Sequence, residues 1–356
     1  MSPRKVSTEL IRRRAAFDIG SGSTKFQCSD YSLDKRKILN IIFQEERPVL
    51  YGADYLKSPA GHLSASIQDM GLQTLYDLKK EGDKVGVEEY SGIATEVFRK
   101  ATNGMQYLQR IRDEIGIPVQ ILTQEVEAEV GFISVTSFDE NIDIVWDSGA
   151  SSFQISTQSM PISAENEVKC HQYHVKESMP ISLVVYMDAI GTSVANRMFV
   201  EKIRNEDIRS YKANINPVTE TECWRLIRLL HQRLPTPPPW LRAGDGRVGA
   251  AAVNNSIFKV CCDVLSVMQH DNNDINSPPV TSFSLHDATL ALHYCLNRTN
   301  DDLQKYVSFA YADSPNPIVV KLSLLVAVMR HTRITTVHTF PCVGACPGVL
   351  QGEQFW

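Results

Sequence analysis

The residues with the most chemical potential lie in one short stretch, Asp18-Ile19-Gly20-Ser21-Gly22-Ser23-Thr24-Lys25. An apolar segment leads into it and a second segment leaves it, so it reads as strand, turn, strand. Asp18 closes the first strand. Gly20 and Gly22 remove side chains, so backbone N–H groups can converge on an anion. Ser21, Ser23 and Thr24 add hydroxyls, and Lys25 adds positive charge. Such a turn suits a phosphate group, with Asp18 available to a metal ion that bridges to it. Taken alone, the stretch serves equally as a tight hairpin whose Gly and Ser only satisfy turn geometry.

The arrangement recurs at Ile144–Ile155: an apolar strand ends in Asp147, Ser148-Gly149-Ala150-Ser151-Ser152 forms a small-residue turn, and a second strand leaves it. Two copies about a domain apart are more specific than one. Together they resemble the phosphate loops of the actin, sugar-kinase and heat-shock-ATPase superfamily. Between them, Thr95, Arg99 and Asn103 recur every fourth residue and would share one helix face. Thr95 would stand at the helix N-terminus, where anions are favoured. The row is either phosphate-facing or a cap with a solvated stripe. Glu125, Glu127 and Glu129 open the next helix, where each acid stabilises it by about 0.3–1 kcal/mol through the macrodipole.

The elements that must position these groups follow from the pattern. The strands around the first turn lead to a third at Lys37–Phe43, and Gln44–Pro59 reads as loop. Leu63, Ile67, Met70, Thr74 and Leu78 repeat at helical spacing up to Gly82. A strand over Gly86–Ala94 precedes one helix from Glu96 to Gly116, with Met105 on its apolar face, and Ile117–Leu122 is a buried strand. In the second half, Val168–Val175 reads as a strand and Ile181–Ile190 as the start of a helix. Thr219–Leu234 is helical, and the proline run at 235–239 reads as a stiff connector. A strand over Arg247–Val253 enters a third small-residue turn, and a helix follows from Asn254 or Asn255 to Met268. Ser284 caps a helix to Leu296, Val319–His331 is helical, Ile334–Thr339 is a strand, and Gly344 and Gly348 punctuate the end.

The 356 residues suggest two domains, and 43% hydrophobic with 22% charged residues is ordinary for a globular protein. A net charge of −5 supplies no global basic field for nucleic acid. No apolar run reaches the roughly 18–20 residues of a membrane span. Met1–Arg14 is basic without an apolar core, which argues against a secretory signal and for a solvated arm, with a short mitochondrial presequence the alternative. Eight cysteines lack framework spacing, so reduced thiols and a cytoplasmic location are expected. Cys170-His171-x-x-His174 lacks a second ligand pair for zinc.

Five segments in order, Ala15–Phe26, Ala94–Asn103, Ile121–Val135, Val145–Ile155 and Leu322–Leu350, resemble the exopolyphosphatase/guanosine pentaphosphate phosphohydrolase (Ppx/GppA) family. The resemblance implies an α/β fold of two actin-like (ribonuclease H-like) domains around a central cleft. These would span residues 1–137 and 138–356, with about 340–356 packing back on the first and no C-terminal helical extension. It implies Mg²⁺ held by Asp18 and Asp147, and Glu127 as catalytic base. Arg99 and Thr95 would lie near phosphate, which would rest on Gly20, Ser21, Gly22, Ser23, Thr24 and Lys25 and on Ser148, Gly149, Ala150 and Ser151. The implied reaction is release of orthophosphate from inorganic polyphosphate, with guanosine pentaphosphate the alternative substrate and a homodimer the family's assembly. Departures cluster in the second turn. Gln154 stands where the family has a metal-binding Glu, so Mg²⁺ affinity should fall. Gly22 replaces Asn, Lys25 replaces Arg, and the third turn lacks the usual Gly-Gly-Thr. These departures favour a catalytically weak phosphate- or nucleotide-binding protein as the reading from another class.

Overall fold

The computed structural model describes residues 10–158, 183–208, 215–242, 246–252, 256–271, 278–304 and 317–356. Strands β1 (Ile11–Ile19), β2 (Ser23–Ser32) and β3 (Lys37–Pro48) form an antiparallel meander. Then come α1 (Tyr51–Lys57), α2 (Ala65–Lys84), β4 (Glu89–Ala94), α3 (Glu96–Lys100), α4 (Gly104–Ile115) and β5 (Val119–Ile121). β4 lies parallel to β1 and β5 parallel to β4, so the first sheet runs β3-β2-β1-β4-β5. Helix α5 (Gln124–Thr136) leads into the second half.

That half comprises β6 (Ile144–Ser148), β7 (Phe153–Gln158), β8 (Leu183–Asp188), α6 (Thr192–Met198), α7 (Glu220–Arg233), α8 (Pro239–Arg242) and β9 (Val248–Ala251). It continues with α9 (Ile257–Asp271), β10 (Ser282–Ser284), α10 (Leu285–Cys295), α11 (Asn300–Gln304), α12 (Ile318–Thr332), β11 (Thr336–Phe340) and α13 (Cys346–Gln351). Its sheet runs β10-β11-β9-β6-β7-β8. Read from β8 to β11, it repeats the first sheet: two antiparallel ladders, then two parallel ones, with β10 an added antiparallel edge. The expected α/β arrangement of two equivalent halves is present.

From Ala15 to Phe17 strand β1 is apolar on both faces because both are covered there. Ala15, Phe17 and Ile19 join a core with Leu75 and Leu78 of α2, while Ala16 faces Ile93, Val349 and Leu350 on the other side. In the second half Ile144 and Trp146 enter the large core beneath α7, α9 and α12, and Val145 faces α5. The helices on the inner faces are exchanged in sequence. α5 packs on β6, β7 and β9, whereas α13, from the chain's end, packs on β1 and β2. The two cross closely. The Gly348 amide donates to Ser134 Oγ at 2.8 Å, and a Cβ on Gly348 would lie 2.1 Å from the Val130 carbonyl oxygen. Asp18 and Asp147 lie on the faces turned toward this helix pair.

Several expected elements are corrected. The helix from Glu96 to Gly116 is two helices, because Gly104 packs against the Phe98 carbonyl and Asn103 binds the Leu63 backbone through both amide atoms. Asn103 is therefore a structural link, not the third member of a phosphate-facing row. Met105 is 70% exposed. Gln44–Pro59 is not mainly loop: β3 extends to Pro48, zipped to β2, and α1 begins at Tyr51. α2 runs past Gly82 to Lys84; the Tyr90 hydroxyl occupies the space a Cβ on Gly82 would need. Its inward positions include Leu72 and Leu75, while Met70 is exposed. Leu183–Asp188 is a strand rather than a helix start, because β7 offers it a ladder edge. Gly348 lies inside α13 rather than ending an element. The strand expected at Val168–Val175, the Cys170/His171/His174 group, Asn254 and Asn255 fall outside the described residues. Among the described residues no helix is long and apolar enough to cross a membrane.

Candidate active site

The two turns are built alike. Gly20 N–H donates to the Ser23 carbonyl at 2.9 Å, and Gly149 N–H donates to the Ser152 carbonyl at 2.9 Å. Each turn is held from behind by the start of a helix. Gly52 N–H, in α1, donates to the Ser21 carbonyl at 2.7 Å, and Ser193 N–H, in α6, donates to the Ala150 carbonyl at 2.7 Å. With these carbonyls engaged on the outside, the amides of Ser21, Gly22, Ala150 and Ser151 donate to no backbone carbonyl among the described residues. That leaves them for an anion. The close seating of α6 demands Gly191, where a Cβ would lie 2.4 Å from the Ala150 carbonyl carbon. The turns meet across the cleft, with Ser151 Oγ donating to Ser21 Oγ at 3.2 Å.

Between them lies a cavity of about 220 Å³. It is lined by Asp18, Gly20, Ser21, Gly22, Ser23, Lys25, Thr95, Glu127, Asp147, Ser148, Gly149, Ala150 and Ser151. Most of the residues singled out from sequence are thus brought together. Three of the residues assigned above to phosphate or metal are not on its wall. Thr24 is fully buried beneath the first turn. Arg99 points to Glu127, with Nη1 3.1 Å from Oε2, and also donates to the Leu122 carbonyl. Gln154 pairs with Asp147 across the β6–β7 ladder, but its amide nitrogen turns to Ser152 Oγ at 3.3 Å. Arg99 thus reaches Glu127 beside the cavity, and the Gln154 amide nitrogen is engaged with Ser152, itself a wall residue.

The charges explain one another. Lys25 Nζ lies 3.3 Å from Asp18 Oδ2, and the Ala345 amide donates to the same oxygen at 3.1 Å. Burial works against the Lys25 ammonium, yet Asp18, Glu46 and Asp147 outweigh it and hold its pKa above the ordinary lysine value. Burial raises the pKa of Asp147, and the like charge of Asp18 adds to it. Burial likewise lifts Glu127 to about 8; Arg99 pulls it down, while Asp147 and Asp18 push it up. Glu127 stands in the first turn of α5, whose N-cap Thr123 accepts from Val126 N–H. Glu129, two residues on, is buried away from the cavity and raised by burial to about 7.

The resemblance implies a divalent cation. Asp18 and Asp147 are two carboxylates at one cavity whose charges oppose each other, and Ser148 Oγ stands buried there without a hydrogen-bond partner among the described residues. Among the described residues no three His, Cys, Asp or Glu side chains form a ready metal cluster. The set fits Mg²⁺ rather than a protein-caged metal, since Mg²⁺ is commonly held by one or two carboxylates, substrate phosphates and water.

Sequence reasoning missed several wall residues: Glu46, Thr192, Ser193, Lys321, Gly344 and Ala345. Gly191-Thr192-Ser193 carried a readable signal of small residues before a helix. Lys321 also did, as the one charge in a long apolar run. Glu46 carried none; only the β2–β3 register brings it beside Lys25.

The model of the Ppx/GppA phosphatase family matches residues 31–178. That segment contains Thr95, Glu127 and Asp147 and begins after the first turn. Retrograde regulation protein 2 of Saccharomyces cerevisiae is 29% identical over 194 residues, covering 51% of this chain and 31% of that protein. The chain thus spans about a third of that relative's length. The structure is similar to the Ppx/GppA enzyme of Aquifex aeolicus, with TM-score 0.66, 18% identity, and coverage of 97% of this chain and 100% of that one. It is equally similar to an exopolyphosphatase of Cytophaga hutchinsonii, with TM-score 0.66, 18% identity, and coverage of 95% and 96%. At such identities these likenesses speak to fold.

Proposed function

Over residues 31–178 the chain belongs to the Ppx/GppA phosphatase family, and on that premise we propose that it hydrolyses the terminal phosphoanhydride bond of inorganic polyphosphate, releasing orthophosphate with Mg²⁺. The observation that carries this reading is the single cavity onto which both turns, Asp18, Asp147, Lys25 and Glu127 open. The terminal phosphoryl group would rest between the turns, bound by the amides of Ser21, Gly22, Ala150 and Ser151. Lys25 would face its oxygens. Asp18 and Asp147 would hold Mg²⁺, which neutralises phosphate charge when bound. Glu127, fixed by Arg99, would accept a proton from the attacking water. The turn amides, already aimed, would stabilise charge that grows on the phosphoryl oxygens.

A second reading has its own observation. Gln154 is an amide where the family pattern has an acid, and its nitrogen donates to Ser152 Oγ, leaving two acids where that pattern adds a third. A phosphate-binding regulator with weak turnover fits that loss, and the yeast relative is named as a regulation protein. An orthophosphate-release assay separates the readings. The pure protein is given long polyphosphate, short polyphosphate and guanosine pentaphosphate, with and without Mg²⁺. Mg²⁺-dependent release from polyphosphate supports the proposal. Release from guanosine pentaphosphate alone reassigns the substrate, and release from none favours the regulator.

A further inference from the structure

Away from the cleft, a groove of about 730 Å³ lies between α7 and the end of α6. α6 passes into a π-helical turn, Phe199–Ile203, and α7 packs against both. Lys202 reaches the groove from that turn, and Arg225, Arg228 and Arg233 reach it from α7. Met198 and Leu229 supply its apolar part and are half-buried, whereas the four cations are exposed. Among the described residues no acid lines it. The chain carries a net charge of −5, so four cations gathered without an acid are a local departure.

None of the four makes an ion pair or hydrogen bond among the described residues. Elsewhere arginines are answered: Arg13 by Asp30, Arg47 by Glu45 and Arg110 by Glu114. The acids of α7 are engaged away from the groove. Glu222 is held by Arg204 and closes the capping box, and Glu220 lies toward His293. Helix formation does not explain the basic face either. Arg233 stands in the last turn, where the macrodipole favours a cation, but Arg225 and Arg228 stand mid-helix. Like charges on one helix face destabilise it, and Lys202 adds another from across the groove. Glutamine at these exposed positions would remove that repulsion at no loss of packing.

The groove's chemistry selects its occupant. Guanidinium groups grip carboxylates through paired hydrogen bonds. A bare phosphate gains nothing from Met198 and Leu229. A bilayer is flat and does not enter a groove. No aromatic ring lines it for a nucleic-acid base to stack on. Arg225 to Arg233 spans about 12 Å of helix, the length of roughly two turns of a second helix laid alongside. We propose that the groove docks an acidic amphipathic segment of a partner protein. Its apolar side chains would lie against Met198 and Leu229 and its carboxylates on the four cations. The groove is separate from the catalytic cleft, so this inference is independent of the hydrolase reading.

The test is fluorescence anisotropy with a labelled peptide of Glu-Leu-Leu-Glu repeats, titrated with the full chain. The peptide should bind, and Arg225→Glu with Arg228→Glu should weaken it by about tenfold or more, since like charges then meet. Replacing every Glu of the peptide by Gln, or raising salt to about 0.5 M, should weaken it similarly. The melting temperature, and any orthophosphate release by the unaltered protein, should persist in the doubly changed protein, because both positions are exposed and outside the cleft. If that protein does not fold, Arg228→Gln carries the comparison, with weakening of about threefold. Failure of the Glu peptide to bind, binding untouched by these changes, or equal binding of the Gln peptide overturns the inference. So does binding of phosphatidylserine vesicles or tripolyphosphate, in place of the peptide, that depends on Arg225 and Arg228; the groove then belongs to a membrane or to a phosphate. A mass that doubles with concentration in the unaltered protein but not in the changed one gives the groove to a second copy and likewise overturns it.

Discussion

At the scale of single residues, the Glu127–Arg99 pair governs the chemistry. A buried carboxyl beside two acids holds its proton, so in the metal-free site Glu127 is largely neutral below about 8. A base must be ionised to act, and bound Mg²⁺ would lower this pKa, so turnover should rise with pH along a limb below that value and level off above it. Arg99 pulls this pKa down through its ion pair. Arg99→Met should therefore move the rising limb to higher pH and lower turnover at pH 7 by about tenfold, as read from pH–rate profiles. Unmoved limbs would show that Arg99 does not tune the base. Gln154 makes a different case. It is buried, and its amide is spent on Ser152. Gln154→Glu should cost about 1–3 kcal/mol, because a carboxylate would be buried beside Asp147. It should not lower the Mg²⁺ requirement. Melting curves and Mg²⁺ titrations check both halves, and a sharply lower requirement would put position 154 at the metal. The types and spacing of these residues were legible in sequence. Which way Arg99 and Gln154 point was not, because that depends on Leu122 and Ser152 presenting partners.

At the scale of elements, the site depends on the helix crossing between the sheets. Gly344 has φ 58°, and a Cβ there would lie 2.3 Å from Asp18 Oδ2 and 2.4 Å from Lys25 Cδ. Only glycine lets the segment before α13 close over that pair. Gly344→Ala should cost at least about 1 kcal/mol for the left-handed backbone, and should also displace the Asp18–Lys25 pair. The checks are loss of melting temperature together with loss of phosphate affinity. Gly348→Ala meets the Val130 carbonyl and cannot be relieved by a side-chain rotation, so it should cost about 1–3 kcal/mol; an unchanged melting temperature would mean the crossing is looser than the 2.1 Å approach implies. Periodicity marked most of the helices, and Ser284 marked the start of one; the structure adds capping boxes at Thr219 and Ser284. It did not show the break at Ala101–Asn103 or the strand at Leu183–Asp188. The first is dictated by Asn103 binding Leu63, and the second by the open edge of β7. Gly344 and Gly348 looked like punctuation because tertiary close approach leaves no local signature.

At the scale of the molecule, two sheets that share a five-strand pattern set two equivalent turns face to face, each preceded by an acid. The repeat was legible because each turn carries its own strand–acid–small-residue pattern. The exchange of α5 and α13 was only partly so, since its cause is contact between distant segments. Gathering buried acids at the cleft has a cost of its own. The folded state favours neutral Glu127, so its contribution to stability is present below the unfolded value near 4.5 and is lost as pH rises toward about 8. Glu127→Gln should therefore raise the melting temperature more at pH 8 than at pH 5, and an equal change at both would deny the raised pKa. The same variant addresses the central claim, that the two turns present a phosphoryl group to Glu127. The most direct measurement is orthophosphate release from polyphosphate in the presence of Mg²⁺, for the unaltered protein and for Glu127→Gln, alongside polyphosphate binding by both. Release that vanishes while binding persists is the predicted result. Undiminished release from the Gln protein would contradict the account.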